Sequence, residues 1–226
     1  MIEEILPSCV ATAEAMGDLP ETLLFPQEEA LLAGVADKRR NEHATARACA
    51  RAALGKLRVP PAPIVSGRYG APQWPAGVVG SITHCPGYRA AAVAWKREVT
   101  TIGIDAEPHR ALPEGLLELV ATQADLAHLA AMAAGQPDLS WDRLLFCAKE
   151  AVYKAWFPLA GRRLDFTDVS IEFDPARTTF AANLVAEAQP AEVWSSGFGG
   201  RWLIRDGLVI TAIAAAEVRV SPPGRS

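Results

Sequence analysis

The sequence predicts an α+β protein built as two similar halves, and the order in which its patterns change along the chain carries that expectation. In each half a helical stretch gives way to a group of short strand-like runs, and a segment ending in two carboxylates, GIDAEP at residues 103–108, stands at the seam. A chain of 226 residues, half of them apolar, is long enough to bury a substantial core and too apolar for disorder.

The elements follow in order. Residues 27–58 are rich in Ala and Leu and free of proline, and they stop at VPPAPIVSGRYGAPQWPAG, whose prolines and glycines interrupt regular structure, so they read as helix. Strand-like runs at 78–82, 89–95 and 101–105 follow, separated by turn signals. Beyond Glu107 the outline repeats, with helices at 112–134 and 141–157 and strands at 169–173, 179–185, 201–204 and 208–214. The terminal SPPGRS reads as a mobile tail. Projected at about 100° per residue, the helix in LSWDRLLFCAKEAVYKAWF gathers Trp141, Leu144, Leu145, Ala148, Val152, Ala155 and Trp156 on one side. Arg143, Glu150 and Lys154 lie opposite, and Lys149 sits near the apolar boundary.

Composition excludes several classes. The opening MIEEILPSC carries glutamates where a leader would be basic, and the longest apolar run, Leu208 to Ala216, is too short to span a bilayer, which points to a cytoplasmic protein without membrane association. Cys9, Cys49, Cys85 and Cys147 are scattered without paired spacing, as expected of reduced, mostly buried thiols. The net charge of −4 conceals a surplus of +5 between Asp37 and Arg58, which leaves −9 for the remainder. A basic segment on an acidic chain fits a local anion site better than a nucleic-acid footprint.

Asp105 and Glu107 are two apart, so an extended strand points both to one side, where they repel unless a cation lies between them. Hard oxygen ligands in small number suit Mg²⁺, although a solvated strand end carries the same pattern. Glu150 and Lys154 are one helical turn apart, as in a surface ion pair or as in a metal ligand or base beside a phosphate anchor. His84, in GSITHCPGY, follows a strand-like run, and Arg39 and Arg47 are placed to meet one extended anion. These spacings fit a Mg²⁺-dependent enzyme acting on a phosphate-bearing anion, such as a hydrolase, or a non-catalytic RNA-binding module whose carboxylates are solvated.

The series KRRNEHATAR, GSITHC, GIDAEPH and WDRLLFCAKEAVYKAWFPL closely resembles the Sfp-type 4′-phosphopantetheinyl transferases, in particular their actinobacterial and enterobactin-synthetase-component-D-like branch, over residues 37–175. The resemblance implies a monomer of two pseudosymmetric halves, 1–104 with the coenzyme A phosphate and adenine contacts and 105–226 with the metal site, the catalytic helix and the docking surface, and coenzyme A bound between them. It implies Mg²⁺-dependent (or Mn²⁺-dependent) transfer of the phosphopantetheine arm of coenzyme A to a serine of an apo acyl or peptidyl carrier protein, releasing 3′,5′-ADP. Such carriers serve fatty-acid, polyketide, nonribosomal-peptide or siderophore synthesis. By the resemblance Asp105, Glu107 and the backbone of Ala106 are metal ligands, and Glu150 is a third side-chain ligand or the base for the serine proton. Lys149 and Lys154 meet the pyrophosphate, Thr83 and His84 the 3′-phosphoadenosine, and Arg39 and Arg47 the phosphates. The loop Val65 to Gly70 departs from the family pattern, with Gly67, Arg68 and Tyr69 as its adenine-side candidates, Arg68 in place of a lysine.

Overall fold

The computed structural model describes residues 1–20, 22–185 and 197–216; the expected mobile tail lies outside them. A strand, β1 (Ala11–Met16), precedes the helices α1 (Pro26–Ala30) and α2 (Asp37–Lys56). Strands β2 (Val78–Cys85), β3 (Tyr88–Trp95) and β4 (Thr101–Pro108) follow, then α3 (Leu116–Val120), α4 (Gln123–Gly135) and α5 (Trp141–Ala160). The last strands are β5 (Val169–Asp174), β6 (Thr179–Leu184), β7 (Phe198–Arg205) and β8 (Leu208–Ala215). The fold is α+β, as expected.

Two expected helices are each divided. Gly34, with φ of +77°, turns the chain between α1 and α2. Between α3 and α4, Thr122 caps α4: its hydroxyl accepts the Asp125 N–H, and the Asp125 carboxylate accepts the Thr122 N–H in return. The strand β1 has no counterpart in the sequence reading, because ATAEAM holds one β-branched residue, Thr12, and no aromatic one to mark it as a strand. It is extended because β3 offers it an edge, in antiparallel register from Ala11 opposite Val93 to Met16 opposite Tyr88.

The strands form a three-stranded sheet in the order β1-β3-β2 and a five-stranded sheet in the order β4-β8-β7-β6-β5. They meet edge to edge without a backbone ladder. Instead, the Ile104 N–H donates to Ser81 Oγ and the Ala106 N–H to Thr83 Oγ1, both at 3.1 Å, so hydroxyls of β2 satisfy the free edge of β4. One apolar cluster runs across this seam, with Ile2, Tyr88, Ile102, Ile104 and Ile210 in it. The apolar side of α5 packs on the larger sheet, with Leu144, Leu145, Val152, Ala155 and Trp156 fully buried. No helix among the described residues is long and apolar enough to cross a membrane.

Candidate active site

The site is set by how closely α5 lies on β4. Gly103 shares a strand face with Asp105 and Glu107, and a Cβ there would fall 1.9 Å from the Ala151 carbonyl oxygen and 2.9 Å from the Ala155 Cβ. The missing side chain and the small residues of α5 let the two backbones touch. β4 stays extended through Pro108, so both carboxylates face the helix that carries Glu150 and Lys154.

Lys154 Nζ donates to Asp105 Oδ1 at 2.7 Å and to the Ile104 carbonyl at 3.1 Å. Thr83 Oγ1 donates to the same Oδ1 at 3.0 Å while it accepts the Ala106 N–H. Arg143 clamps the other carboxylate: Nη1 reaches Glu107 Oε2 at 3.2 Å, and its remaining donors hold the Arg110 and Ala111 carbonyls. Burial raises the Glu107 carboxyl above its ordinary value, and the charge of Asp105 adds to it against Arg143 and Lys154. Burial likewise raises Glu150; Lys154 opposes this, while Asp105 and Glu107 reinforce it. Burial pulls the Lys154 ammonium down, but Asp105 and Glu150 outweigh it, and Lys154 titrates above its ordinary value.

Asp105 Oδ2 is buried without a hydrogen-bond partner. Its neighbour is the Cys147 thiol, a weak donor that interacts with Asp105 and also lies 3.3 Å from Thr211 Oγ1 and 3.7 Å from the Val209 carbonyl. A buried carboxylate oxygen without a strong donor, beside two carboxyl groups raised by burial first and by neighbouring carboxylate charge second, is a donor set that suits a divalent cation. As the side chains stand, no group of three His, Cys, Asp or Glu residues is arranged to hold a metal among the described residues; Lys154 is paired with Asp105 Oδ1 and Arg143 with Glu107 Oε2.

From this cluster a cavity of about 390 Å³ extends between α2, β2 and α5, lined by Arg39, His43, Arg47, Tyr69, His84 and Lys154 among others. Arg39 is exposed, whereas Arg47 is buried, its Nε on the Ile64 carbonyl at 2.7 Å and its Nη2 on Ser66 Oγ at 3.1 Å. Burial lowers Arg47 to about 10, which leaves it charged at neutral pH. His84 is held below its ordinary value by burial and by Lys154. Tyr69, at φ of 55°, crosses the mouth: its ring meets Phe157 edge-on at 5.6 Å, and the guanidinium groups of Arg68 and Arg163 lie 4.8 and 5.6 Å from its centre. A smaller cavity of about 110 Å³ adjoins the first, sharing Glu150 and Tyr153, with Leu164, Phe166 and Val169 in its wall.

The sequence that builds this site matches a known family. The family profile described as 4′-phosphopantetheinyl transferase N-terminal domain matches residues 27–94, and that of the 4′-phosphopantetheinyl transferase superfamily matches residues 101–212. The chain belongs to the 4′-phosphopantetheinyl transferase superfamily. It is 50% identical over 223 residues to the 4′-phosphopantetheinyl transferase Svp of Streptomyces mobaraensis, across 96% of this chain and 89% of that protein. It is 48% identical to Npt of Nocardia iowensis, across 96% and 100%, and 45% identical to PptT of Mycobacterium tuberculosis, across 94% and 97%. The chain is thus a 4′-phosphopantetheinyl transferase, an enzyme of the class that moves phosphopantetheine from coenzyme A to carrier proteins.

In the transferase, the expected residues Asp105, Glu107, Glu150 and Lys154 come together, and Arg39, Arg47, Tyr69 and His84 line the larger cavity. Two residues are placed differently from the expectation. Thr83 is 1% exposed and both its hydroxyl bonds lie within the β2–β4 seam, so it orients Asp105 rather than facing an adenosine. Lys149 is 3% exposed and lines the smaller cavity, with its donors taken by the carbonyls of Val120 and Phe166 and by Asp125. Gly67 and Arg68 belong to the Tyr69 loop without lining the cavity, Arg68 Nη2 reaching Tyr69 Oη at 3.1 Å. The sequence reading assigned no role to Arg143 or His43. Spacing held a signal for both: Arg143 is seven residues before Glu150, and His43 stands four from Arg39 and four from Arg47 on one helix face.

Proposed function

We propose that the transferase moves the 4′-phosphopantetheine arm of coenzyme A, in a Mg²⁺-dependent reaction, to a serine hydroxyl of an apo carrier protein and releases 3′,5′-ADP. The observation that carries this reading is the bare, buried Asp105 Oδ2 beside Glu107 and Glu150, where the basic cavity reaches the seam. Asp105, Glu107 and Glu150, with the Ala106 backbone, are the groups that would hold Mg²⁺ or Mn²⁺. When bound, the ion supplies neutralisation of diphosphate charge and lets the carboxylates stay ionised together.

The chain's own residues do the rest. Arg39, Arg47 and His84 bind the phosphates of the nucleotide end, and Lys154 meets the oxygens of the diphosphate. The smaller cavity, with Leu164, Phe166 and Val169, takes the uncharged arm. The serine oxygen attacks the phosphorus that bears the arm, and the bond from that phosphorus to the 3′,5′-ADP oxygen breaks. Glu150, at the meeting of the two cavities, takes the serine proton.

The halves divide at residues 104 and 105, and the carrier docks on the second, near the segment after Pro108. Incubation with coenzyme A, Mg²⁺ and an apo carrier tests the reading by mass: the carrier gains one phosphopantetheine. Coenzyme A cleavage with an unchanged carrier would mark a hydrolase, and no change in either a binding module. A panel of fatty-acid, polyketide, nonribosomal-peptide and siderophore carriers in the same assay assigns the pathway.

A further inference from the structure

Lys149 stands next to Glu150 on α5, yet its ammonium is buried away from the diphosphate groups. It donates to the Val120 carbonyl at 2.7 Å, to Asp125 Oδ2 at 2.6 Å and to the Phe166 carbonyl at 2.7 Å, which uses all three N–H bonds. Asp125 is fully buried and also accepts from the Thr122 N–H and hydroxyl and from the Ile171 N–H at 2.7 Å. One ion pair therefore ties the end of α3, the cap of α4, β5 and the turn at Phe166–Asp168 to α5.

Burying such a pair is expensive in desolvation, and apolar residues of equal volume commonly hold a core as well. What this pair secures beyond packing is a wall. Phe166 lines the smaller cavity together with Glu150, Tyr153 and Lys149 itself; the Phe166 carbonyl is held by the Lys149 ammonium, and the Phe166 ring stacks on Phe146 at 5.6 Å.

We propose that Lys149 and Asp125 are a positioning pair that fixes the Phe166 wall of the smaller cavity relative to Glu150, and so aligns the arm of coenzyme A without touching its nucleotide end. The inference rests on the assignment of that cavity to the arm.

The double variant Asp125→Asn/Lys149→Met removes both charges, so neither ion is left buried and unpaired. Its affinity for 3′,5′-ADP, which lacks the arm, is measured by calorimetry beside its kcat and KM for coenzyme A. The expected result is 3′,5′-ADP binding within about twofold of wild type and kcat/KM for coenzyme A lower by about tenfold or more, since misplacement by an ångström costs on the order of 10²-fold. Lys149→Arg, which keeps charge and donors, should retain more of kcat/KM than Lys149→Met. Equal weakening toward 3′,5′-ADP and coenzyme A would overturn the inference in favour of a phosphate contact or general damage, and no change in either would overturn it in favour of a packing role. A wild-type protein that bound neither molecule would overturn the coenzyme A reading itself.

Discussion

Gly103→Ala tests whether the closeness of β4 and α5 builds the active site. The new methyl would stand 1.9 Å from the Ala151 carbonyl oxygen, 2.8 Å from the Ala155 nitrogen and 2.9 Å from the Ala155 Cβ. None of these atoms can swing aside by a rotamer change, so strand and helix must part by roughly 1.5 Å to restore an ordinary contact. Overpacking costs about 1–3 kcal/mol and sometimes more, and a clash with rigid backbone belongs at about 3 kcal/mol. In a chain of this size that lowers Tm by roughly 6–12 °C. The same displacement carries Glu150 and Lys154 away from Asp105 and Glu107, and a shift of about 1 Å in such a constellation costs on the order of 10²-fold in rate. Thermal unfolding by circular dichroism and carrier modification by mass spectrometry read the two effects. Gly55→Ala is the control: its Cβ would meet nothing within 4 Å inside α2, and it should stabilise by roughly 0.4–1 kcal/mol. A Gly103→Ala protein with wild-type Tm and turnover would refute the idea that this contact sets the site.

Glu150→Gln should keep coenzyme A binding and lower transfer by about 10²–10⁴-fold, as loss of a general base does; near wild-type transfer would remove Glu150 from that role. Asp105→Ala should abolish Mg²⁺-dependent turnover, and EDTA should silence the wild-type protein until Mg²⁺ is restored; activity that persists in EDTA would exclude Asp105 as a metal ligand. His43 is lowered from 6.5 to about 4, by burial first and then by Arg47, and its Nδ1 is buried without a partner. The folded state therefore binds fewer protons at this site than the unfolded chain, so the stability it contributes is present above 6.5 and is lost as pH falls toward about 4. His43→Gln should flatten that part of a chemical-denaturation profile against pH, and an unchanged slope would show that His43 is not its source.

Much of this protein was legible in the residues because helix and strand periods are local. Period two put Asp105 and Glu107 on one face, and α5 buries the apolar stripe that its spacing defines. The basic surplus of 37–58 marked the helix whose Arg39 and Arg47 reach the cavity. Spacing alone favoured a solvated strand end over a metal site; that Asp105 is buried, with Oδ1 held by Lys154 and Thr83 and Oδ2 without a hydrogen-bond partner, is decided by packing.

The pattern of the chain by itself determined the element types and which charged groups share a face, because those follow from backbone geometry within a few residues. Tertiary structure alone decided what each polar group meets. Lys149 and Lys154 are five apart on one helix, yet one closes on Asp125 and the other on Asp105. Thr83 serves the seam, and ATAEAM becomes a strand because β3 lies beside it. A long side chain or a weak strand former takes its role from the partner within reach, and that partner is supplied by elements far away in sequence.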